Sequence, residues 1–493
     1  MYNPTIGLEI HAELNTKSKI FCSCKNDLSL GKEPNINICP VCAGQPGSLP
    51  VINKQAVENI IKIGIALDGK PQKEFRFFRK NYFYPDIPKG YQITSQEAPP
   101  IIGGRILVGD RQIKIHHVHL EEDTGKNTHP EGTNYSLIDY NRAGVPLMEL
   151  VTEPDMKNGK EASLFCQELQ HILRVLDVSD ADMEKGQMRC EVNVSISKNE
   201  KLGTKVEIKN LNSFRAVEKA IDFEINRQEN VIESGENIIQ ETRGWNDKDQ
   251  KTFAQRSKET AKDYRYFPEP DLPPVKVGDE WIKRIKSDLP EMPQTKRKRF
   301  IEQYGFNQAS AHLLILNKNL SNFTEQVISE LKAWLITLEG VEGSEDEIWT
   351  NNKEKLVKLV SGWLINKLPP LMQEYTQDWD NLKITAENFA EFITLIYQNK
   401  ISSAIGQKLL KEMIATGKDP SNIIEENDLS QISNGGEIDE IIDKVIKNNP
   451  EQVAEFKSGK ENVIQYLIGQ IMKESKGKAN PQMAGEMLRE KLK

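Results

Sequence analysis

The sequence predicts an α+β protein in which a sheet with one polar face is followed by a helical second half. Up to Pro293, short segments alternate apolar and polar residues, and acidic side chains recur at the polar positions. After Pro293 the apolar residues take helical spacing, as in Phe323, Val327 and Leu331. We therefore expect a curved antiparallel sheet with helices behind it, and then helices alone.

The first alternating segment is residues 7–13. Its apolar residues fall on one face of an extended strand, and Glu9, His11 and Glu13 fall on the other face. Two carboxylates and an imidazole so close together suit a divalent cation. A strand whose polar face meets solvent gives the same alternation, so this segment alone leaves both interpretations open.

The rest of the first half alternates predicted helices and strands. Helices are expected at 53–67, 160–176 and 214–229, with Asn53 and Ser213 as N-caps. Strands are expected at 101–108, 112–120, 137–139, 147–151, 188–196 and 204–213. Glu149 stands alone inside an apolar strand, where a charged carboxylate is costly unless it is paired or bound to a metal.

Four of the six cysteines form two close pairs, Cys22 with Cys24 and Cys39 with Cys42. In a reducing compartment this pattern predicts a tetrahedral zinc site of four thiolates, with no open position and a structural role. The alternative is four free thiols. Cys166 and Cys190 have apolar neighbours and are expected in the core.

The composition limits which cellular compartment and which partners we expect for this protein. No apolar run reaches about 18 residues and no secretory signal is visible, so we expect a cytoplasmic protein that does not span a membrane. The net charge of −8 argues against a strongly basic nucleic-acid coat. Local basic segments at 296–299 and 473–493 fit either an RNA contact or a solvated helix face.

Aromatic and cationic residues mix densely at 75–86, a segment that contains Lys80. Such a mixture can stack a nucleobase or guide an anion, or it can form a strand whose cations only reach solvent. Arg243 and Arg265 are candidate phosphate contacts, because a guanidinium matches phosphate bidentately. Each is equally consistent with a structural pair to a carboxylate.

Several long motifs together resemble one known family. They are GLEIH at 7–11, RKNYFYPD at 79–86, EEDTGK at 121–126, KNLNS at 209–213, DYRYFPEPD at 263–271, IGQIMK at 468–473 and KGKANP at 476–481. They resemble the B subunit of the bacterial aspartyl/glutamyl-tRNA(Asn/Gln) amidotransferase, and the likeness covers nearly the whole chain. It implies a glutamine-synthetase-like cradle with a zinc knuckle at 1–292, a helical domain at 293–400 and a helical tail at 401–493 that contacts tRNA. The acidic segment at 340–352 departs from the pattern and has no assigned role.

The resemblance also implies a reaction. ATP phosphorylates the side-chain carboxylate of misacylated Glu-tRNA(Gln) or Asp-tRNA(Asn), and ammonia then displaces phosphate. In the family a glutaminase subunit supplies the ammonia, and a small third subunit holds the heterotrimer together. No Cys or Ser–Lys glutaminase nucleophile stands out in this chain, so the use of glutamine would require that partner.

The resemblance assigns roles to residues of this sequence. Arg243 and Arg265 would contact the nucleotide, and Lys80 would line the route of ammonia. Two other functions stay open: a non-catalytic tRNA-binding scaffold, and a free-standing ligase that uses ammonia directly. The expected Mg²⁺ ligands are Glu9, His11, Glu122, Glu149 and Glu207, with Glu121 and Glu191 as further candidates, and the expected Zn²⁺ ligands are Cys22, Cys24, Cys39 and Cys42.

Overall fold

The structure is a computed structural model that describes residues 2–27, 33–130, 132–199, 201–257, 264–337, 343–427, 429, 435–475 and 477–492. Asp263 and Lys476 of the quoted motifs, and Gly340, Val341 and Glu342 of the acidic segment, lie outside the described residues. The described part divides into two compact units, 1–293 and 294–493.

The first unit contains every described strand and four helices. The strands are β1 (Asn3–Glu13), β2 (Lys70–Pro71), β3 (Glu74–Phe75), β4 (Phe78–Asn81), β5 (Tyr91–Thr94), β6 (Ile101–Ile102), β7 (Arg105–Val108), β8 (Arg111–Glu122), β9 (Lys126–Thr128), β10 (Leu137–Asp139), β11 (Pro146–Thr152), β12 (Met188–Ser197), β13 (Val206–Leu211), β14 (Glu241–Asn246), β15 (Lys251–Ser257), β16 (Phe267–Pro268) and β17 (Val275–Lys276). The helices are α1 (Lys54–Ala66), α2 (Gly159–Val175), α3 (Phe214–Glu233) and α4 (Asp279–Ser287).

One large sheet organises this unit, and β1 lies near its centre. The strand order is β15-β14-β13-β12-β1-β11-β8-β5-β4-β16, with β2, β6 and β7 joined beside β8. The expectation of a purely antiparallel sheet is wrong, because β13 and β14 pair in parallel. The chain passes through α3 between these two strands, and a helical crossover of this kind returns it in the same direction.

The two faces of the sheet differ in polarity. Ile6, Leu8 and Ile10 of β1 are fully buried and share one core with residues of α1, α2 and α3. The predicted caps are confirmed: the side chains of Asn53 and Ser213 accept hydrogen bonds from the first turns of α1 and α3. Because side chains alternate along a strand, Glu9, His11 and Glu13 lie on the face away from these helices.

The second unit is helical. Its elements are α5 (Pro293–Arg299), a π-helical turn (Phe300–Tyr304), α6 (Gln308–Ile315), α7 (Lys318–Ile336), α8 (Glu345–Asn366), α9 (Leu368–Glu374), α10 (Ala386–Tyr397), α11 (Ser403–Thr416), α12 (Pro420–Glu426), α13 (Gly435–Asn448), α14 (Pro450–Lys457), α15 (Val463–Glu474) and α16 (Pro481–Leu492). A mixed α+β fold with a helical C-terminal region is thus confirmed. Among the described helices we find no candidate for a membrane span.

Two hydrophobic clusters lie in the helical unit. One runs from Phe300 to Ile424 and the other from Ile438 to Leu492. Residues 401–424 therefore pack with the helices that precede them. The assignment of three domains with bounds at 292 and 400 stays a prediction.

One local expectation is wrong. Residues 101–108 form β6 and β7 instead of one strand, because Gly103 and Gly104 between them both have positive φ.

The acidic segment contains the start of a helix. The helix α8 begins at Glu345, and Ser344 and Glu347 form a capping box there. Acidic residues in a first turn are favourable there, because they face the positive end of the helix dipole.

Candidate metal and nucleotide site

The register of the sheet brings polar side chains from neighbouring strands into one row. His11 of β1 lies opposite Glu149 of β11, which lies opposite His119 of β8. On the other side of β1, Glu9 and His11 lie opposite Glu191 and Arg189 of β12. Cross-strand neighbours share a face, so the isolated polar residues of the sequence become one cluster.

The centre of the cluster is the carboxylate of Glu149. Its Oε2 lies 3.1 Å from Nε2 of His11 and 3.3 Å from Nε2 of His119. Glu121 lies 3.6 Å from Nε2 of His11 and 3.5 Å from Nε2 of His119. His119 is fully buried, and the Glu121 and Glu149 side chains are 3% and 4% exposed. Two imidazoles and two carboxylates therefore converge with almost no water around them.

Mutual charge stabilisation offsets the cost of burying these groups. Burial opposes protonation of the two imidazoles, but the neighbouring carboxylates, Glu149 foremost, together outweigh it and raise the pKa of both His11 and His119 to about 9. Burial likewise disfavours the Glu149 carboxylate, yet the two imidazoles hold its pKa well below the ordinary value. Without a metal ion, protons supply the positive charge that this site needs.

The cluster fits a divalent cation better than it fits a closed network of ion pairs. Both ring nitrogens of His119 and Oε2 of Glu121 are buried without a hydrogen-bond partner in the described structure. Native proteins rarely leave such atoms unsatisfied. Glu9, His11 and Glu149 form one possible ligand set, and His119, Glu121 and Glu149 form another. A bound cation would satisfy these atoms and displace the ring protons.

A second group consists of carboxylates alone. Oxygens of Glu9, Glu191 and Glu207 lie within 4.8 Å of one another. Burial, then the Glu149 charge, raises the pKa of Glu9 to about 7. The Thr242 hydroxyl donates to Glu207 at 2.7 Å, and Lys209 pairs with Glu191 at 2.6 Å. An all-oxygen set is the type that Mg²⁺ prefers.

Lys80 lies on the same face at the other side of the cluster. Burial opposes its charge, but Glu121 and then Tyr266 and Glu149 keep its pKa above the ordinary value. Its ammonium lies 5.2 Å from the ring centre of Tyr264, at a distance typical of cation–π contacts. Lys80 therefore adds a permanent positive charge beside the carboxylates.

The structure does not bring Glu122 into this cluster. It follows Glu121 in β8 and so points to the opposite side of the sheet. There it pairs with Lys89 at 2.6 Å and accepts the backbone N–H of Ile93 at 2.8 Å. It lines a cavity of about 230 Å³ beside Cys42, apart from the row of polar side chains.

Of the two arginines proposed as phosphate contacts, Arg243 also lies elsewhere. Thr242 pairs with Glu207, so Arg243, the next residue, faces the helix side of the sheet. Its guanidinium is 2.5 Å from Glu241 and 3.6 Å from buried Glu224 of α3. These contacts match the other interpretation of the sequence, a structural pair with a carboxylate. Arg265 is exposed with φ 46°, and the described contacts to it come from Asn81, whose amide donates to its backbone carbonyl.

Sequence reasoning missed two residues of this face, His119 and Arg189. The signal for His119 was present, because His119 and Glu121 are spaced in β8 as Glu9 and His11 are spaced in β1. Arg189 alternates with Glu191 in 188–196, which indicates its polar face, but only the pairing of β12 with β1 places it beside His11.

The four cysteines meet as the spacing predicts. Their sulfurs lie within 4.8 Å of one another, and Cys42 Sγ is 3.8 Å from Cys39 and 3.9 Å from Cys24. Four thiolates placed tetrahedrally about 2.3 Å from zinc would be about 3.8 Å apart. The hydrogen bond from Cys22 is the main cause that lowers the pKa of Cys42 to about 4, so this sulfur favours thiolate, whereas the hydrogen bond to Cys42 raises the pKa of Cys22 and burial raises the pKa of Cys24 to about 11. The cluster is suited to hold a metal ion.

Lys19 supports a negatively charged cluster. It is fully buried, its ammonium donates to the Asn37 carbonyl at 2.8 Å, and it lies 3.8 Å from Cys42 Sγ. Among the described residues, no carboxylate lies within the 4 Å ion-pair distance of Lys19. A buried ammonium needs a counter-charge. Four thiolates around a divalent ion carry a net charge of about −2 and would supply it.

Comparison with known proteins decides the family. The profile described as "GatB/GatE catalytic domain" matches residues 4–283, and the one described as "GatB domain" matches residues 347–492. The chain belongs to the B-subunit family of the aspartyl/glutamyl-tRNA(Asn/Gln) amidotransferases. The B subunit from Persephonella marina is 43% identical over 498 residues, covering 100% of both chains. The one from Caldanaerobacter subterraneus subsp. tengcongensis is 44% identical over 497 residues, covering 100% of this chain and 99% of that relative.

Metal analysis tests the cysteine cluster. We expect the purified chain to carry about one zinc ion, and Cys39→Ser to lose it, because three thiolates bind more weakly than four. Lys19→Met should release zinc to a chromogenic chelator at least about tenfold faster, because the thiolates lose their cation. Cys166→Ala is the matched control, since Cys166 is buried apart from the cluster. Equal zinc content in Cys39→Ser and the parent would contradict the assignment.

Glu13 provides a pH test of the same face. Burial, then the charge of Asp123, raises its pKa from 4.5 to about 7, against the effect of Arg142 and Arg189. The folded state therefore holds this proton more tightly than the unfolded state, and stability falls as pH rises from about 4.5 to 7. Glu13→Gln cannot ionise, so it should gain up to about 3 kcal/mol over the parent at pH 8 and little at pH 5.

Urea unfolding at both pH values checks this expectation. A gain of equal size at pH 5 and pH 8 would show that packing, and not ionisation, causes the effect.

Proposed function

We propose that this chain is the component of a tRNA-dependent amidotransferase that activates and amidates the aminoacyl group of misacylated Glu-tRNA(Gln), Asp-tRNA(Asn) or both. The observation that carries the proposal is the convergence of His11, His119, Glu121 and Glu149, with unsatisfied buried atoms, on the polar face of the sheet. Family membership supports the same conclusion, because the relatives are named for this reaction.

The chemistry explains why such a face is needed. A carboxylate resists attack by ammonia because oxide is a poor leaving group. Phosphorylation by ATP forms an acyl phosphate and ADP. Ammonia then forms the C–N bond as the C–O bond to phosphate breaks, and a proton leaves nitrogen. Phosphoryl transfer requires positioning and neutralisation of charge, which Mg²⁺ supplies when bound.

The described residues can hold the ions that this chemistry needs. Glu9, Glu191 and Glu207 form an all-oxygen set for Mg²⁺, and Glu9 also joins His11 and Glu149 in a mixed set. Of the Mg²⁺ ligands expected from the sequence, the proposal keeps four and leaves out Glu122. The proposed ligands are Glu9, His11, Glu149 and Glu207, together with His119, Glu121 and Glu191. Lys80 borders the same face, where a fixed cation favours the unprotonated form of an arriving amine.

The source of ammonia lies outside this chain. Cys22, Cys24, Cys39 and Cys42 form the metal-suited cluster, and Cys166 and Cys190 are buried in the core 3.5 Å from each other. No cysteine is thus available as an exposed glutaminase nucleophile. We propose that a glutaminase subunit supplies ammonia and that a small third subunit completes a heterotrimer. Structural zinc would hold the cysteine knuckle, and the first unit would form a glutamine-synthetase-like cradle.

The basic segments bear on tRNA binding. Lys296 and Arg299 both pair with Glu325, which reduces their value as RNA contacts. In the tail, Lys473 and Arg489 lie in the last turns of α15 and α16. We therefore propose that the tail, and not the segment at 296–299, contacts tRNA phosphates.

A non-catalytic tRNA-binding scaffold is the rival proposal. A scaffold has no use for buried carboxylates that repel phosphate and cost stability. An assay with ammonium chloride as the nitrogen donor distinguishes the two functions, because this donor removes the need for a glutaminase. The full chain with ATP, Mg²⁺ and misacylated tRNA should release ADP and form the amide. A scaffold would release no ADP.

Replacement of the central carboxylate tests the catalytic assignment. Glu149→Gln should lower amide formation at least about a hundredfold, because it removes the charge that both imidazoles and the cation share. Binding of tRNA should change less than about twofold. Glu58→Gln is the matched control, since Glu58 pairs with Arg284 at 2.6 Å away from the polar face. Near-parental turnover in Glu149→Gln would refute the assignment.

A truncation tests the role of the tail. Deletion of residues 435–493 removes the second helical cluster and leaves the first complete. We expect tRNA affinity, measured by filter binding at two salt concentrations, to fall at least about tenfold with a smaller salt dependence. ADP affinity should stay unchanged. Unaltered tRNA affinity would exclude the tail as a contact.

A further inference from the structure

Arg189 is a cation on the polar face. Neither the packing of the fold nor the proposed sets of metal ligands explains why a cation is needed there. Arg189 lies directly opposite His11 in the pairing of β12 with β1, and its side chain is 40% exposed. Its guanidinium pairs with Asp123 at 3.0 Å, and its place opposite His11 puts Arg189 on the β12 side of the imidazole–carboxylate cluster. A cation in this position can reach a ligand that the cluster binds.

The contacts of Arg189 leave most of its donors available. Its Nη2 lies 3.0 Å from Oδ1 of Asp123, its single carboxylate partner in the described part of the chain. A guanidinium carries five N–H donors. Asp123 is buried and holds one terminal nitrogen of the guanidinium, whereas Nε and Nη1 of Arg189 make no hydrogen bond among the described residues.

Arg142 shares the same carboxylate and gives an internal comparison. Its Nε lies 3.4 Å from Oδ2 of Asp123, and its guanidinium also donates to the carbonyls of Thr124 and Gly125 at 3.0 Å. The donors of Arg142 thus hold a turn in place. Both arginines pair with Asp123. Of the two, only Arg189 has guanidinium N–H groups beside the cluster that make no hydrogen bond among the described residues.

The other cations near the site are less suited to bind a phosphate. Lys209 pairs with Glu191 at 2.6 Å, and Arg243 lies on the opposite face of the sheet. Lys80 borders the cluster from the β4 side but offers a single ammonium. A planar guanidinium binds two phosphate oxygens at once, and this geometry suits a transferred phosphoryl group.

We propose that Arg189 binds the terminal phosphate of the nucleotide, the group that is transferred, from the β12 side of the metal cluster. This inference rests on the proposed function, because it requires that ATP binds on the polar face. Asp123 would act as the positioning residue that holds the arginine. Bound cations and Arg189 would be able to contact the same phosphate, the one that lies next to the metal-ligand cluster.

Nucleotide affinity tests the assignment without measuring turnover. The full chain is titrated calorimetrically with Mg²⁺ and ATP, ADP or AMP. Arg189→Met should weaken ATP binding at least about tenfold, ADP binding less and AMP binding less than about twofold, because the lost charge-assisted hydrogen bonds involve the terminal phosphate. Arg189→Lys should recover part of the ATP affinity, since a point charge remains. Thermal unfolding verifies that each variant is folded.

Arg142→Met is the matched control, because it removes the other partner of Asp123. Its ATP affinity should stay within about twofold of the parent. An equal loss in Arg142→Met and Arg189→Met would show that the effect acts through Asp123 and overturn the inference. Equal losses for ATP and AMP would also overturn it, by placing the contact on the nucleoside. A parent chain that binds no nucleotide would overturn the proposed function as well, whereas unchanged ATP binding in Arg189→Met would overturn this inference alone.

Discussion

The burial of the Glu149 carboxylate is the constraint on which the polar face depends. A charged carboxylate inside a sheet is strongly unfavourable unless neighbouring groups supply positive charge. His11 and His119 supply it from the two adjacent sides of β11. Ring protons neutralise the cluster in the structure, and a divalent cation bound by the same groups would take their place.

The same principle governs the cysteine cluster. Buried Lys19 lies against Cys42, so a buried cation faces a group of sulfurs that is favourable only when it is negatively charged. In both places, charges that would each be costly alone are paired. For the Glu149 cluster the central sheet makes this pairing possible, because β1 has β11 on one side and β12 on the other. Each strand supplies one or two groups, and the register aligns them.

Two of the predicted site residues, Glu122 and Arg243, lie apart from the cluster for one shared reason. Glu122 and Arg243 are candidates by residue type, although each lies one position from a residue that faces the cluster, Glu121 and Thr242 respectively. In a strand, a shift of one position moves a side chain to the other face of the sheet. Segments with a complete alternating pattern, such as 7–13, indicate the correct face. Those with an interrupted pattern, such as Glu121-Glu122-Asp123, do not show which carboxylate points where.

The sequence by itself determined the mixed α+β class, the caps of α1 and α3, the spacing of the four cysteines and the polar face of β1. These features depend on local rules of periodicity, capping and ligand spacing, which act over a few residues. Only the tertiary structure decided that β13 and β14 are parallel, that His119 joins His11 around Glu149, and that Arg189 lies beside His11. Those facts depend on strand order and register, which are set by packing among residues from about thirty to more than a hundred positions apart, and local patterns carry no information about such distances.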